Sequence, residues 1–235
     1  MKFFDGLYSY EIVLLVLGAL LFVVVLFAFV VLVMRGRPFA KLLGFFVIPI
    51  VMIGFPSIKF IEFSKGVIKV EKDTHDLQHD PTNKTLRDAL ANEVASLSPR
   101  PSTDPKVITT IARAQIALGR NEEARATVNK ALQLAPQHPK VLELQERLEL
   151  DNKLADLATK VEQEPDNSAA REELRKTLAK VSSRPIASPV TITNVARAQA
   201  AIGDHTQART HVEKALKINP NLAPAIQLKR EIGPP

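Results

Sequence analysis

Hydrophobic and polar positions change character at about residue 63. From Ile12 to Met34, 23 positions run without a charge, and Gly18 is the one glycine among them. At about 1.5 Å per residue, a helix of that length crosses a ~30 Å hydrocarbon core with some tilt. A second apolar stretch, 39–61, carries Lys41 and Lys59 and contains Pro49 and Pro56. Proline removes a backbone donor, which lipid tolerates where a neighbouring helix or local rearrangement satisfies the freed carbonyl. The pattern predicts a transmembrane helical hairpin over 1–63 with a tight connection from Arg35 to Lys41. A re-entrant or interfacial second helix is the alternative, because the uninterrupted core Leu42–Ile58 barely reaches spanning length. Asp5 and Glu11 before the first run, and arginines after it, argue against a cleaved secretory signal.

Beyond this hairpin the apolar spacing becomes three and four. Ile108, Ile111, Ala112 and Ile116 precede Gly119, and Ala124, Val128, Ala131 and Leu132 continue to Pro136. That period predicts two antiparallel helices, 105–118 and 121–134. The block then returns 84 residues later. Ile111-Ala-Arg-Ala-Gln115 reappears as Val195-Ala-Arg-Ala-Gln199, Arg100-Pro101 as Arg184-Pro185, Gly119 as Gly203, and Lys130-Ala131-Leu132 as Lys214-Ala215-Leu216. Further helices are expected at 84–97 and 168–181, each followed by a Pro/Ser-rich connector (98–104, 182–188), with tracts at 141–161 and 223–232 closing the array. The expected fold is all-α: the hairpin, a juxtamembrane linker 64–84, a first unit 85–150 and a second unit 151–235. The lysine-bearing stretch 59–72 reads as a short β-like or interfacial segment, or as a solvated connector.

In each copy the run Ala112…Leu118-Gly119…Ala124…Val128…Ala131-Leu132-x-Leu134-x-Pro136 resembles a tetratricopeptide repeat (TPR), over about 105–138 and 189–222. The family's aromatic positions hold Ile108, Ile192, Val128 and Val212 here, which lowers packing volume. The resemblance implies a short α-solenoid whose first helices line a concave groove. It thereby places Thr109, Arg113 and Ile116 of one copy, and Thr193, Asn194 and Arg197 of the other, as partner-binding residues. Guanidinium groups there suit carboxylates, so an acidic peptide segment is one expected ligand. The plain alternative is an arginine paired with a glutamate on the neighbouring helix.

Charge and candidate chemistry narrow the reading. The chain has 31 Lys and Arg against 25 Asp and Glu, which permits anionic partners without requiring nucleic acid. Counting bases near the helix ends, five (Lys2, Lys59, Lys65, Lys69, Lys72) against three (Arg35, Arg37, Lys41) favour both termini inside, whereas the density of the short loop argues the reverse. The expectation taken is an integral protein of a bacterial inner membrane with its repeats in the cytoplasm, the periplasmic side being the alternative. No Cys occurs. His75 and His79 lie four apart, but His75-Asp76-Leu77-Gln78-His79 lacks the glutamate of a zinc-protease motif, so neither metal nor cofactor is expected. No nucleophile motif or phosphate loop appears, so the chain reads as a non-enzyme. The expected role is a membrane-tethered scaffold that recruits a protein partner. An accessory subunit of a membrane complex, held through the hairpin and its Gly18, Gly44 and Gly54, is the alternative.

Overall fold

The structure, a computed structural model, describes residues 4–35, 38 and 40–233, with backbone alone at 40 and 41. Lys2, Gly36, Arg37 and Phe39, which enter the hairpin and orientation arguments, lie outside the described residues, as does the Lys41 side chain. Among the described residues regular structure is helical throughout: α1 Ser9–Met34, α2 Ala40–Leu43 with a 3-10 turn Gly44–Phe46, α3 Val47–His79, α4 Lys84–Leu97, α5 Pro105–Leu118, α6 Asn121–Leu134, α7 Pro139–Gln163, α8 Ser168–Ser182, α9 Pro189–Ala201, α10 His205–Ile218 and α11 Ala223–Ile232. Two compact units form, one of 1–68 with 96–104 and the other of 69–95 with 105–235.

In the first unit, α1 and the helix over 44–79 are long and apolar enough to cross a membrane. Their large apolar side chains are uncovered, Phe27 at 70% exposure and Met34 at 82%. A Cβ on Gly18 would come within 2.7 Å of the Met52 Cβ, so this glycine sits where α1 meets the second apolar helix, while Gly44 and Gly54 face open space. Pro56 is inside α3, and Ser57 donates its hydroxyl to the Ile53 carbonyl at 2.7 Å.

The N-terminal segment is stitched to the connector 98–104. Gly6 N–H donates to the Pro101 carbonyl (2.8 Å), Ser102 Oγ to Asp5 Oδ2 (2.7 Å), and Thr103 N–H to Asp5 Oδ1 (2.8 Å). Arg100 donates to the Gly6 carbonyl (3.0 Å), stacks over Tyr8 and stands 3.8 Å from Glu11. Glu11 in turn accepts from Tyr8 N–H at 2.9 Å, which ties the start of α1. Both Asp5 and Glu11 are buried. A buried carboxylate survives only when partnered, and these donors are the partners.

The stretch 64–79 is helix, which corrects the β-like expectation for 59–72. Phe63, Val67, Val70, Thr74 and Leu77 recur at helical spacing and all are buried. The residues from 69 onward also extend the 84-residue period backward: Val70 matches Leu154, Leu77 matches Val161 and Lys69 matches Lys153, although the two lysines pair with acids at different positions, Glu93 (3.1 Å) and Glu173 (2.6 Å).

In the second unit, α5–α6, α7–α8 and α9–α10 are antiparallel hairpins, and α11 packs on α10 and α9. Cores are shared by successive helices. Ile108, Ala112 and Ile116 meet Ala124, Val128, Ala131, Val141, Leu144 and Leu148. Leu154, Leu157 and Val161 meet Leu174, Leu178 and Val195. Each buried Leu or Ile contributes about 1.5–3 kcal/mol, so no hairpin stands without its neighbour. Gly119 and Gly203 turn the hairpins at φ +83° and +94°. The next residues close equivalent helix ends, Arg120 N–H to the Gln115 carbonyl at 2.8 Å and Asp204 N–H to Gln199 at 2.9 Å.

Candidate functional site

Pro105 and Pro189 each open the first helix of a copy, and Ser188 caps α9 by accepting from Thr191 N–H at 3.2 Å. One turn in, Thr109 and Thr193 are buried and turn their hydroxyls back to the carbonyls of Pro105 and Pro189. Both threonines are thus satisfied within their own helices. One further turn along stand Arg113 and Arg197.

The second copy brings three of its expected residues together. Thr193, Asn194 and Arg197 line a cavity of about 190 Å³ with Glu162, Gln227 and Glu231. Arg197 is already occupied: its Nε donates to Glu162 Oε1 at 2.8 Å, and its Nη2 bonds Oε2. That pairing holds the Arg197 pKa above the usual guanidinium value. Gln227 donates to Glu231 at 2.8 Å. With two carboxylates and one guanidinium, this cavity carries net negative charge.

The first copy is arranged differently. Ile116 is 3% exposed and belongs to the core, where it also borders a narrow cleft with Arg147, Asp151, Arg184 and Thr191. Arg113 is half-buried and makes no ion pair or hydrogen bond among the described residues; Arg147 feels its charge. Burial holds Arg147 below the ordinary guanidinium value, Arg184 and Arg113 add repulsion, and Asp151 opposes them. Thr109 and Arg113 line none of these cavities.

The cleft is organised by Asp151, which sequence reasoning passed over. Its carboxylate accepts from Asn121 Nδ2 (3.0 Å), Thr191 Oγ1 (3.0 Å) and Asn194 Nδ2 (3.3 Å). It therefore joins α6, α7 and α9. Burial raises its pKa above the ordinary 3.8, against the pull of these three donors and Arg147. A sequence signal existed: Asp151 falls in the apolar stripe Leu144, Leu148, Leu154, Leu157 of α7, where a charge needs partners. His75 and His79 face each other with ring centroids 4.7 Å apart, and no group of three His, Cys, Asp or Glu gathers among the described residues.

Comparison with known families gives two matches, both to models described as tetratricopeptide repeat, over residues 89–148 and 191–222. No curated protein and no solved structure matches the chain.

Proposed function

Because the chain belongs to the tetratricopeptide-repeat family, we propose that it is a non-catalytic, membrane-tethered scaffold that recruits a protein partner through the groove of its repeats. The observation that carries the groove reading is the cavity joining Thr193, Asn194 and Arg197 with Glu162 and Glu231. Partner contact there is polar and hydrogen-bonding, and since Arg197 is matched by Glu162, an acidic ligand in the groove engages Arg113 of the first copy. The tether is the pair of apolar helices, whose side chains find no cover within the protein. The Asp5–Ser102 stitch supports a hairpin that crosses twice, because residues before α1 and residues after α3 then share one side of the bilayer. The stitch leaves the side itself open; the bases Lys59, Lys65, Lys69 and Lys72 after the second apolar helix are what favour the cytoplasm for the repeats, the periplasm being the alternative. Affinity capture with wild type, Asn194→Arg and, as an off-groove control, Lys130→Glu tests the groove: a partner retained by wild type and control is lost with Asn194→Arg. An unchanged partner set removes the groove claim.

A further inference from the structure

The internal duplication supplies two copies of one connector, and they are used differently. In the first copy Arg100-Pro101 and the next two residues grip a segment of the same chain that is acidic and aromatic, Phe4-Asp5-Gly6-Leu7-Tyr8 with Glu11 beyond it. In the second copy the matching Arg184-Pro185 holds no such segment: Ile186 and Ala187 stand where Ser102 and Thr103 do, and the Pro185 carbonyl accepts from Arg147 Nη2 at 3.1 Å. Arg184 reaches one carboxylate, Glu146, at 3.4 Å, and its side chain is 36% exposed where that of Arg100 is 19%.

Beside this second connector lies a cavity of about 300 Å³ walled by His79, Arg184, Ile186, Ile192, His211 and Lys214, and no carboxylate lines it. The neighbouring acids are engaged elsewhere: Asp80 accepts from Thr82 N–H (3.3 Å) and Oγ1 (2.9 Å), Asp76 faces His75 (3.6 Å), and Glu146 faces Arg184. Lys214 has no ion pair among the described residues. Cations at helix C-termini ordinarily offset the helix dipole, which accounts for His79 and Arg184. His211 and Lys214 lie on the body of α10, where no helix end calls for them. Two basic side chains opposite an apolar wall of Ile186 and Ile192 match a carboxylate carried next to a bulky apolar residue.

We propose that this cavity is a docking site for an acidic peptide segment of a partner protein, with an aromatic or aliphatic residue beside its carboxylates, held by Arg184 and Lys214 against the wall of Ile186 and Ile192. The site is separate from the groove, so its fate and that of the groove reading are independent. The probe is a fluorescein-labelled peptide of sequence Phe-Asp-Gly-Leu-Tyr-Ser-Tyr-Glu, titrated by anisotropy against the full chain in detergent. Saturable binding is expected, weakened at least tenfold by Lys214→Glu and by Arg184→Ala, lost when the peptide's acids are amidated, and unchanged by Ser102→Ala. Lys214→Ala, at an exposed position, guards against misfolding and is expected to weaken binding in the same direction. No binding, or binding indifferent to Lys214→Glu, overturns the proposal. A dimer of the full chain that Lys214→Glu abolishes seats a second copy's own N-terminal segment there and overturns the assignment to a partner.

Discussion

Ser102 donates its hydroxyl to the carboxylate of Asp5 at 2.7 Å across 97 residues of chain. The same carboxylate takes the Thr103 N–H, so removing it strands two donors at once. Asp5→Ala should cost about 1–3 kcal/mol, and Asp5→Asn less, because one acceptor oxygen survives. Limited proteolysis within 98–104 checks this: cleavage of Asp5→Ala should outpace wild type, with Ser102→Ala intermediate. Equal rates would show that the stitch does not hold the connector.

Three glycines with positive φ form a graded series. A Cβ on Gly203 meets nothing within 4 Å, one on Gly119 touches Pro189 and Val190 at 3.4 Å, and one on Gly6 falls 2.2 Å from the Phe63 ring. Gly203→Ala carries only the left-handed backbone cost, about 1–2 kcal/mol. Gly119→Ala should cost slightly more, and Gly6→Ala the most, since Phe63 is buried and must move. Thermal unfolding followed by helical circular dichroism ranks them; a Gly6→Ala protein as stable as Gly203→Ala would refute the packing of Phe63.

Where side-chain periodicity carried the information, the sequence was legible. The helices 105–118 and 121–134 stand where the three-and-four spacing and Gly119 put them, and the repeated block marked the matching pair in the second copy. The last turns of α3 were hidden because Lys69, Glu71, Lys72 and Asp76 dilute the stripe of Val70, Thr74 and Leu77, although the 84-residue offset reaches that far back. Asp5 with Ser102, and Asp151 with Thr191, are distant pairings that no local pattern encodes. The expected groove residues split for a physical reason: threonine in a buried helix returns its hydroxyl to its own backbone, so Thr109 and Thr193 serve packing, while Asn194 is spent on Asp151.

Asp151 makes stability depend on pH with a definite sign. Its folded-state pKa is raised, so its favourable contribution is full below the ordinary 3.8 and is lost as pH rises through the raised value. The stability of wild type minus that of Asp151→Asn should therefore fall with rising pH from about 3.8 upward, as read by denaturant unfolding across pH 3–7. A difference that rises over that window contradicts a buried carboxylate. Asp151→Leu, which leaves three donors unmet, should lose about 3 kcal/mol or more at the acid end of this range and less as pH rises.

Arg197 and Glu162 form a two-pronged pair whose side chains are 39% and 36% exposed. Water and salt screen such a pair, so a double-mutant cycle with Arg197→Ala and Glu162→Ala should give a coupling below about 1 kcal/mol, shrinking further in high salt. Glu162→Ala alone should strengthen binding of acidic peptides at this end of the groove by freeing the guanidinium. Weaker or unchanged binding would show that Arg197 is not a carboxylate receptor.

The proposed membrane tether is tested most directly by alkaline carbonate extraction of membranes from cells producing the full chain. The apolar, uncovered faces of α1 and the helix over 44–79 predict that the protein stays in the pellet and enters solution only with detergent. Full-length protein released into the carbonate supernatant would contradict the account.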